Sequence, residues 1–100
     1  MYATTARISS TKAGQYLAQL CKHFAHKIPA EHDGSQGRID FTSGRCRLEA
    51  TANELLVTCE AETVVDLDQV KMIVADHIVR FGWRDKIELS WTDEHPPAAS

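Results

Sequence analysis

The sequence has no long hydrophobic run, no excess of positive charge and no closely spaced pair of cysteines. No apolar stretch approaches the roughly 20 residues that a membrane-spanning helix needs. Residues 1–10 do not show the basic-then-apolar pattern of a signal peptide. The formal net charge of -3 provides no positive field that would attract nucleic acid. We therefore expect neither a membrane nor a nucleic acid as partner.

The three cysteines, Cys21, Cys46 and Cys59, are odd in number and too far apart for a CxxC metal clamp. Without an export signal they are expected to be reduced thiols, so the predicted location is cytoplasmic. The apolar share of 43% and the charged share of 25% are close to the globular average, which disfavours disorder and a coiled coil. A chain of 100 residues is long enough for one buried core.

Apolar residues spaced three or four apart predict two amphipathic helices. The first stripe runs over residues 13–28, with Ser9, Ser10 or Thr11 as the N-cap. Pro29 ends this helix, because the residue before a proline avoids the helical conformation.

The second stripe runs over residues 67–81. Thr63 and Asp66 stand in the relation of a capping box in front of it, with Asp in place of the usual Glu or Gln. Gly82 follows as a C-terminal stop. Each helix therefore has one apolar face, which must lie on another layer of the structure.

Alternation of apolar and polar residues predicts a sheet as that layer. The predicted strands cover residues 2–8, 38–42, 45–50, 54–60 and 86–91. Helices on one face of a largely antiparallel sheet form a two-layer α+β fold, here with the order β-α-β-β-β-α-β.

Small and polar residues mark the segments outside these elements. Residues 30–37 are polar and contain glycine, which is typical of a mobile connection. Residues 92–100 include Pro96-Pro97 and are predicted to form a flexible tail. The predicted organisation is a single α+β domain over residues 1–91 followed by that tail.

The burial pattern selects one register for each hairpin, since a slip of one residue would turn every side chain to the other face. The predicted turns are Ser43-Gly44 and a turn around Ala52-Asn53. The opposite pairs are then Phe41 and Cys46, Ile39 and Leu48, Leu48 and Val57, and Cys46 and Cys59.

The same register pairs opposite charges on the other face of the sheet. These pairs are Arg38 with Glu49, Asp40 with Arg47, and Arg45 with Glu60. Because each arginine has an acidic partner, the pattern favours a solvated charge ladder over a patch that binds anions or nucleic acid. Leu56 is an apolar residue on this face and is either incidental or part of a small contact surface.

Three of the five histidines lie within ten positions, at His23, His26 and His32. His23 and His26 are three residues apart on the first helix, so neutral imidazoles at these positions can hold a borderline metal ion. His32 or Asp33 can add a ligand if the loop folds back. The alternative is structural: His26 gains from the negative end of the helix dipole, and His23 covers the edge of the core.

A second candidate is a Cys–His pair between the helices. His77 lies next to Phe81 by helical spacing. It can also face Cys21 and act as the general base that activates the thiol as a nucleophile. The alternative is a histidine at the edge of the core with a hydrogen-bonded ring. Cys46 and Cys59 are interpreted as buried, inert thiols rather than as a switchable disulfide.

The segment from Tyr16 to Lys27 carries the motif Leu-Cys-Lys-His-Phe-x-His-Lys. It resembles the hallmark of a family of small bacterial proteins catalogued as a domain of unknown function. The resemblance continues through residues 37–46 and from His77 to Trp91. It implies a soluble bacterial protein, and it suggests an iron or siderophore context, because some relatives are found beside or joined to siderophore-interacting flavin reductases.

These observations favour a non-enzymatic binding or accessory module for a small ligand or a metal ion. The candidate ligand-binding residues are His23, His26, His32, Cys21 and His77, of which His23 and His26 are the candidate metal ligands. One alternative is a protein–protein adaptor or homodimer that pairs the edge of its first or last strand. The other is a small enzyme that uses Cys21 or His77. The ligand, the cofactor and the oligomeric state stay open.

Overall fold

The structure, a computed structural model, describes residues 1–82, 87 and 89–93. The chain order of its elements is β1 (Tyr2–Ser9), α1 (Ala13–Ala25), β2 (Ala30–His32), β3 (Gln36–Asp40), β4 (Arg45–Ala50), β5 (Glu54–Ala61), α2 (Val64–Phe81) and β6 (Trp91–Asp93). The predicted α+β fold is confirmed, with both helices packed against one antiparallel sheet. Neither helix in the described ranges is sufficiently long and apolar to cross a membrane.

The sheet has the strand order β2-β3-β4-β5-β1-β6, and every neighbouring pair is antiparallel. β1 therefore lies inside the sheet, between β5 and β6. The expectation that the first strand offers an edge for pairing with another chain is wrong, because both sides of β1 are already hydrogen-bonded. Among the described residues, β2 and β6 form the two edges.

The core lies between the helices and the inner face of the sheet, as the two stripes predict. Both helices bury most of their predicted apolar positions, whereas Phe81 at the end of α2 and Ile28 beyond α1 are only half-buried. The meander buries most of one alternating row, in which Phe41 and Ala50 are half-buried. The fully buried larger side chains are Leu17, Leu20, Ile39, Leu55, Ile78, Val57, Val70, Val74, Thr4, Cys21, Cys46 and Cys59. This burial is the main source of stability for a domain of this size.

The predicted N-cap of α2 is present in the structure, whereas the N-cap and the C-terminal end of α1 differ from the prediction. At α2 the Oγ1 atom of Thr63 accepts the backbone N–H of Asp66 at 3.1 Å, as the capping signal predicts. The N-cap position of α1 is instead Lys12, and no side chain caps the helix there. Ser10 acts one step earlier, since its Oγ accepts the backbone N–H of Lys12 at 3.0 Å. α1 also ends at Ala25, before the predicted end.

The predicted register between β4 and β5 is confirmed, with Leu48 opposite Val57 and Cys46 opposite Cys59. The register between β3 and β4 is shifted by two residues, so that Ile39 and not Phe41 lies opposite Cys46. A shift of two keeps every side chain on its face, so the alternation cannot distinguish the two registers.

The turn of this hairpin is Thr42-Ser43 rather than Ser43-Gly44. The backbone N–H of Phe41 donates to the carbonyl of Gly44 at 2.7 Å, and the N–H of Gly44 donates back at 3.3 Å. Gly44 is needed for another reason. A Cβ at this position would lie 2.2 Å from the backbone carbonyl oxygen of Glu60, so only glycine allows β5 to approach so closely.

Residues 30–37, interpreted as a connection from their composition, form most of a hairpin. β2 pairs with β3 from Ala30 opposite Ile39 to His32 opposite Gly37. In the turn, the carboxylate of Asp33 accepts the backbone N–H groups of Ser35 at 3.0 Å and Gln36 at 2.8 Å. These hydrogen bonds lower the pKa of Asp33, because they stabilise its ionised form.

The last strand lies further along the chain than predicted. Of the alternating residues Ile87, Leu89 and Trp91, only Trp91 belongs to β6, which continues to Asp93. Thr92 was expected in the tail, but it lies in β6 and pairs with Thr5 of β1. Residues 83–86, 88 and 94–100, which include most of the predicted tail, lie outside the described residues.

Candidate functional site at the ends of the two helices

The C-terminal parts of α1 and α2 bring two histidines together. The ring centroids of His23 and His77 lie 4.9 Å apart, with an angle of 49° between the rings. Phe24 contacts His77 at 4.7 Å between centroids, and Phe81 contacts His23 at 5.6 Å. Phe41 adds an edge-to-face contact with Phe24 at 5.2 Å. We call these five residues the histidine–phenylalanine cluster.

Helical spacing explains half of this arrangement. His77 and Phe81 are four residues apart on α2 and therefore lie on the same side of that helix, with ring centroids 6.1 Å apart. On α1, Phe24 points into the core, whereas its neighbour His23 is exposed. Packing α1 beside α2 then places His23 over His77.

The hydrogen bond of His77 determines which of its ring nitrogens carries the proton in the neutral ring. Nδ1 lies 2.7 Å from the backbone carbonyl oxygen of Ile73. A carbonyl can only accept, so Nδ1 is the donor, and Nε2 is left as the acceptor of a neutral imidazole. Histidines that bind metal ions are usually oriented by a hydrogen bond of this kind.

The surroundings of His23 favour its neutral form. The pKa of His23 is lowered mainly by desolvation of the ring and, to a lesser extent, by nearby positive groups. These groups are His77, His26, Arg80 and Lys27. Protonating His23 would add a further positive charge to this cationic surface.

The separation of the two ring centroids can be compared with that of two imidazoles bound to one ion. A metal–nitrogen bond of about 2.0–2.1 Å puts each ring centroid about 3.2 Å from the metal. A tetrahedral angle between two such ligands then separates the centroids by about 5 Å. The observed separation is 4.9 Å.

The remaining candidate histidines lie elsewhere. His26 is exposed just beyond the end of α1, and His32 is exposed on the edge strand β2, opposite Gly37. Over residues 1–82, 87 and 89–93, no three histidine, cysteine or acidic side chains come together in a group that could hold a metal ion. The geometry therefore offers a pair of imidazoles, His23 and His77, in ring contact.

Cys21 does not share the surroundings of His77. Its side chain is buried against β3, where a Cβ on Gly37 would lie 2.8 Å from Sγ. Burial raises the pKa of the Cys21 thiol, partly offset by a backbone hydrogen bond from Arg38. A buried thiol with a raised pKa is a poor nucleophile.

Cys46 and Cys59 face each other across β4 and β5, as predicted, and both are fully buried. The hydrogen bond between the two thiols, and then burial, raise the pKa of Cys46 well above its ordinary value. All three cysteines are present as free thiols. This setting is that of inert core residues.

The outer, helix-free face of the sheet carries the expected charge ladder, with partners changed by the register shift and by β2. Arg38 lies opposite Arg47 instead of Glu49, and it is compensated by Glu31 of the additional strand at 2.9 Å. The other ion pairs on this face are Arg38–Asp40, Arg45–Asp40, Arg47–Glu60 and Arg7–Glu54. Each arginine of this face in the described strands has a carboxylate partner, which leaves little net attraction for an anion.

A groove of about 590 Å³ crosses this outer face. Half-buried Leu56 is part of its lining, beside Thr5 and Thr58, whose hydroxyls are hydrogen-bonded at 3.0 Å. Arg7, Arg47 and Glu49 also contribute to its walls. The apolar residue that stood out in the sequence thus lies in a concave surface lined mainly by polar residue types.

Over residues 5–92 the chain matches the model of a protein family described as "Uncharacterized protein conserved in bacteria (DUF2218)". The chain belongs to this family. It is also similar to the NMR structure of PA4090 from Pseudomonas aeruginosa, with 30% sequence identity and a TM-score of 0.80 over the whole of both chains. A search of the curated proteins gives no match.

The region matched by the DUF2218 model includes both helices and all five candidate residues. The resemblance in the sequence therefore leads to the correct kind of family, a bacterial domain of uncharacterised function. The proximity of His23 and His77 was missed, because it depends on how α1 and α2 pack. The only signal in the sequence was the position of both residues beside the apolar stripes.

Proposed function

We propose that this chain is a non-enzymatic binding module that holds a transition-metal ion, or a small complex of one, between His23 and His77. The observation that carries the proposal is the pair of imidazoles from two helices at 4.9 Å between centroids. The Ile73 carbonyl orients one of them and leaves its Nε2 as an acceptor. Imidazole suits zinc, copper, iron and nickel ions.

Two protein ligands leave several coordination positions free. A bound ion would therefore keep water molecules or share its remaining positions with a small chelating ligand. The half-buried ring of Phe81 borders the pair and favours a ligand with an aromatic or apolar part. The iron or siderophore context implied by the resemblance is compatible with such a ligand.

The test is calorimetric titration of the protein with zinc, ferrous iron and haem. We expect binding of one equivalent of at least one of them, and we expect His23→Ala to weaken it at least tenfold. His23 is exposed, so this substitution should leave the fold intact, as circular dichroism will show. His77→Gln is the second variant, because it removes the ring nitrogens but keeps a polar side chain at a half-buried position.

His26→Ala and His32→Ala are the matched controls. Each removes one exposed histidine, and neither residue takes part in the ring contacts of the cluster. Unchanged affinity in both, with loss in His23→Ala and His77→Gln, supports the proposed pair. Loss in His26→Ala instead would favour the neighbouring pair His23 and His26. No heat of binding with any of the three probes would contradict the proposal.

A further inference from the structure

Apolar side chains are exposed along one line of α2. Val65, Met72 and Val79 are 77%, 70% and 44% exposed. They are seven residues apart, which brings them within about 20° of one direction on a helix with 3.6 residues per turn. We call these three residues the α2 stripe. Val64, 45% exposed, and Ala75 extend the apolar surface on one side of it.

The α2 stripe is a feature that the core does not explain. Leu67, Val70, Val74 and Ile78 already form the buried face of α2. Of the five large hydrophobic side chains that are exposed among the described residues, all but Met1 belong to this helix. A line of apolar residues at heptad spacing on a helix surface is typical of a helix–helix contact.

We infer that α2 binds α2 of a second copy of this chain, antiparallel and with the two-fold axis at Met72. The spacing of the stripe is the first reason. Val65 and Val79 lie equally far from Met72, so a two-fold axis there places each valine against the other valine of the second copy. An interface of this kind is formed by the same surface on both subunits, as a two-fold dimer requires.

Charge complementarity selects the antiparallel direction. The acidic residues Glu62, Asp66 and Asp68 lie near the N-terminal end of α2. Arg80, which forms an exposed ion pair with Asp76 of the same helix, lies in the last turn. Antiparallel packing brings Arg80 of each copy towards the acidic end of the other, and it also opposes the two helix dipoles favourably. A parallel pair would bring the two acidic ends together.

The polar residues beside the stripe fit the same arrangement. By helical geometry, Asp76 on one side of the stripe comes opposite Gln69 of the second copy. The Oε1 atom of Gln69 already accepts the hydroxyl of Ser43 at 2.8 Å, which leaves the amide N–H groups of Gln69 to donate to a carboxylate. On the other side, Asp68 comes opposite Ala75, so no two like charges meet.

The inferred α2–α2 dimer should be weak. An 18-residue helix is about 27 Å long, and two such helices in contact bury less than the roughly 1,600 Å² of a standard interface. The association is therefore expected to depend on concentration. It does not use the proposed metal site, because His77 is five residues from Met72 and points about 140° away from it around the helix.

The first experiment measures mass against concentration by sedimentation equilibrium. We expect the average mass to rise from 11.2 kDa towards twice that value as the concentration increases. Met72→Asp places two carboxylates on the axis and should keep the protein monomeric. Gln19→Asp adds the same charge to the exposed face of α1 and should leave the rise unchanged.

Cysteine cross-linking tests the geometry. The natural cysteines are buried, so they should not form disulfides between copies, and any cross-link can be assigned to the introduced cysteine. Met72→Cys should form a disulfide-linked dimer under mild oxidation. Val65→Cys and Val79→Cys should each fail alone, since a residue and its copy are about 21 Å apart, and should cross-link only when the two variants are mixed.

Other outcomes would overturn the inference. Efficient cross-linking of Val65→Cys with itself would show a parallel pair. A rise in mass that Met72→Asp does not remove would show a dimer formed through another surface. A constant mass of 11.2 kDa together with no cross-linking of Met72→Cys would show that the α2 stripe does not bind a second copy. None of these results depends on metal binding, which is measured separately by calorimetry.

Discussion

The thiol of Cys21 on α1 packs directly against Gly37 on β3. A Cβ on Gly37 would lie 2.8 Å from Cys21 Sγ and 3.3 Å from a methyl group of Leu17. The absence of a side chain on Gly37 thus allows α1 to approach the sheet. Since the histidine of the proposed pair on α1 follows two residues after Cys21, this contact also helps to position His23 relative to α2.

We therefore predict that Gly37→Ala destabilises the protein by roughly 1–3 kcal/mol, because the added methyl group overpacks a close contact. Chemical denaturation will measure the change in the free energy of unfolding. In a Cys21→Ala background the cost of Gly37→Ala should be smaller, since the closest contact has been removed. Equal costs in both backgrounds would show that the sulfur is not the obstacle.

Thr4 provides a second prediction. Its Oγ1 is buried and has no hydrogen-bond partner among the described residues. Replacing an unsatisfied buried hydroxyl by a methyl group of similar shape should stabilise the fold, so Thr4→Val should raise the free energy of unfolding by about 1 kcal/mol. Thr5→Val is the matched control. It removes the hydroxyl bonded to Thr58 at 3.0 Å and should lower the same free energy by up to about 1 kcal/mol.

The charge state of His23 can be followed by NMR titration of its ring protons. Its folded-state pKa lies below the ordinary value of 6.5, chiefly through desolvation and then through its positive neighbours. Arg80→Gln removes one of these neighbours and should raise the midpoint. Lys22→Gln removes a positive charge that does not contribute to the shift, so the midpoint of the His23 titration should stay unchanged. A midpoint at or above 6.5 in the unmodified protein would contradict this description.

The same shift predicts a pH dependence of stability. Between the lowered folded-state pKa and the ordinary value of 6.5, the unfolded chain binds more protons at His23 than the folded protein. The free energy of unfolding should therefore decrease as the pH falls below 6.5, and the contribution should be constant above that value. Thermal unfolding of His23→Gln beside the unmodified protein isolates this contribution, which the variant lacks.

Cys21 should react slowly with alkylating reagents. Its pKa is raised by burial, and the thiol rather than the thiolate is present near neutral pH. We expect iodoacetamide to modify it more slowly than free cysteine, at a rate that increases when denaturant opens the fold. Modification in the native protein faster than that of free cysteine would instead favour the small-enzyme interpretation.

Burial periodicity was sufficient to predict most of the fold. The two helices and the pairing of β4 with β5 follow from it, because an amphipathic helix and a half-buried strand each have one recognisable period. β2 was missed because its three residues are exposed or half-buried and show no apolar alternation. The turn at Thr42-Ser43 was missed because registers that differ by two residues bury the same side chains.

The candidate site was predicted in part. His23 and His77 were both recognised as candidates, since each lies beside an apolar stripe. Their contact depends on the packing of α1 against α2, which no local pattern in the sequence encodes. Spacing along one helix therefore favoured His26 as the partner of His23, whereas the ring contact with His77 from the other helix is visible only in the fold.

The position of β1 inside the sheet has a consequence for synthesis and folding. The strands from β2 to β5 can pair successively as short hairpins while the chain leaves the ribosome. β1 is made first, yet its partner on β5 lies between 45 residues away, for Ser9 and Glu54, and 59 residues away, for Tyr2 and Ala61. Loop closure over such distances slows folding, so the docking of the N-terminal strand is expected to be the late, rate-limiting step.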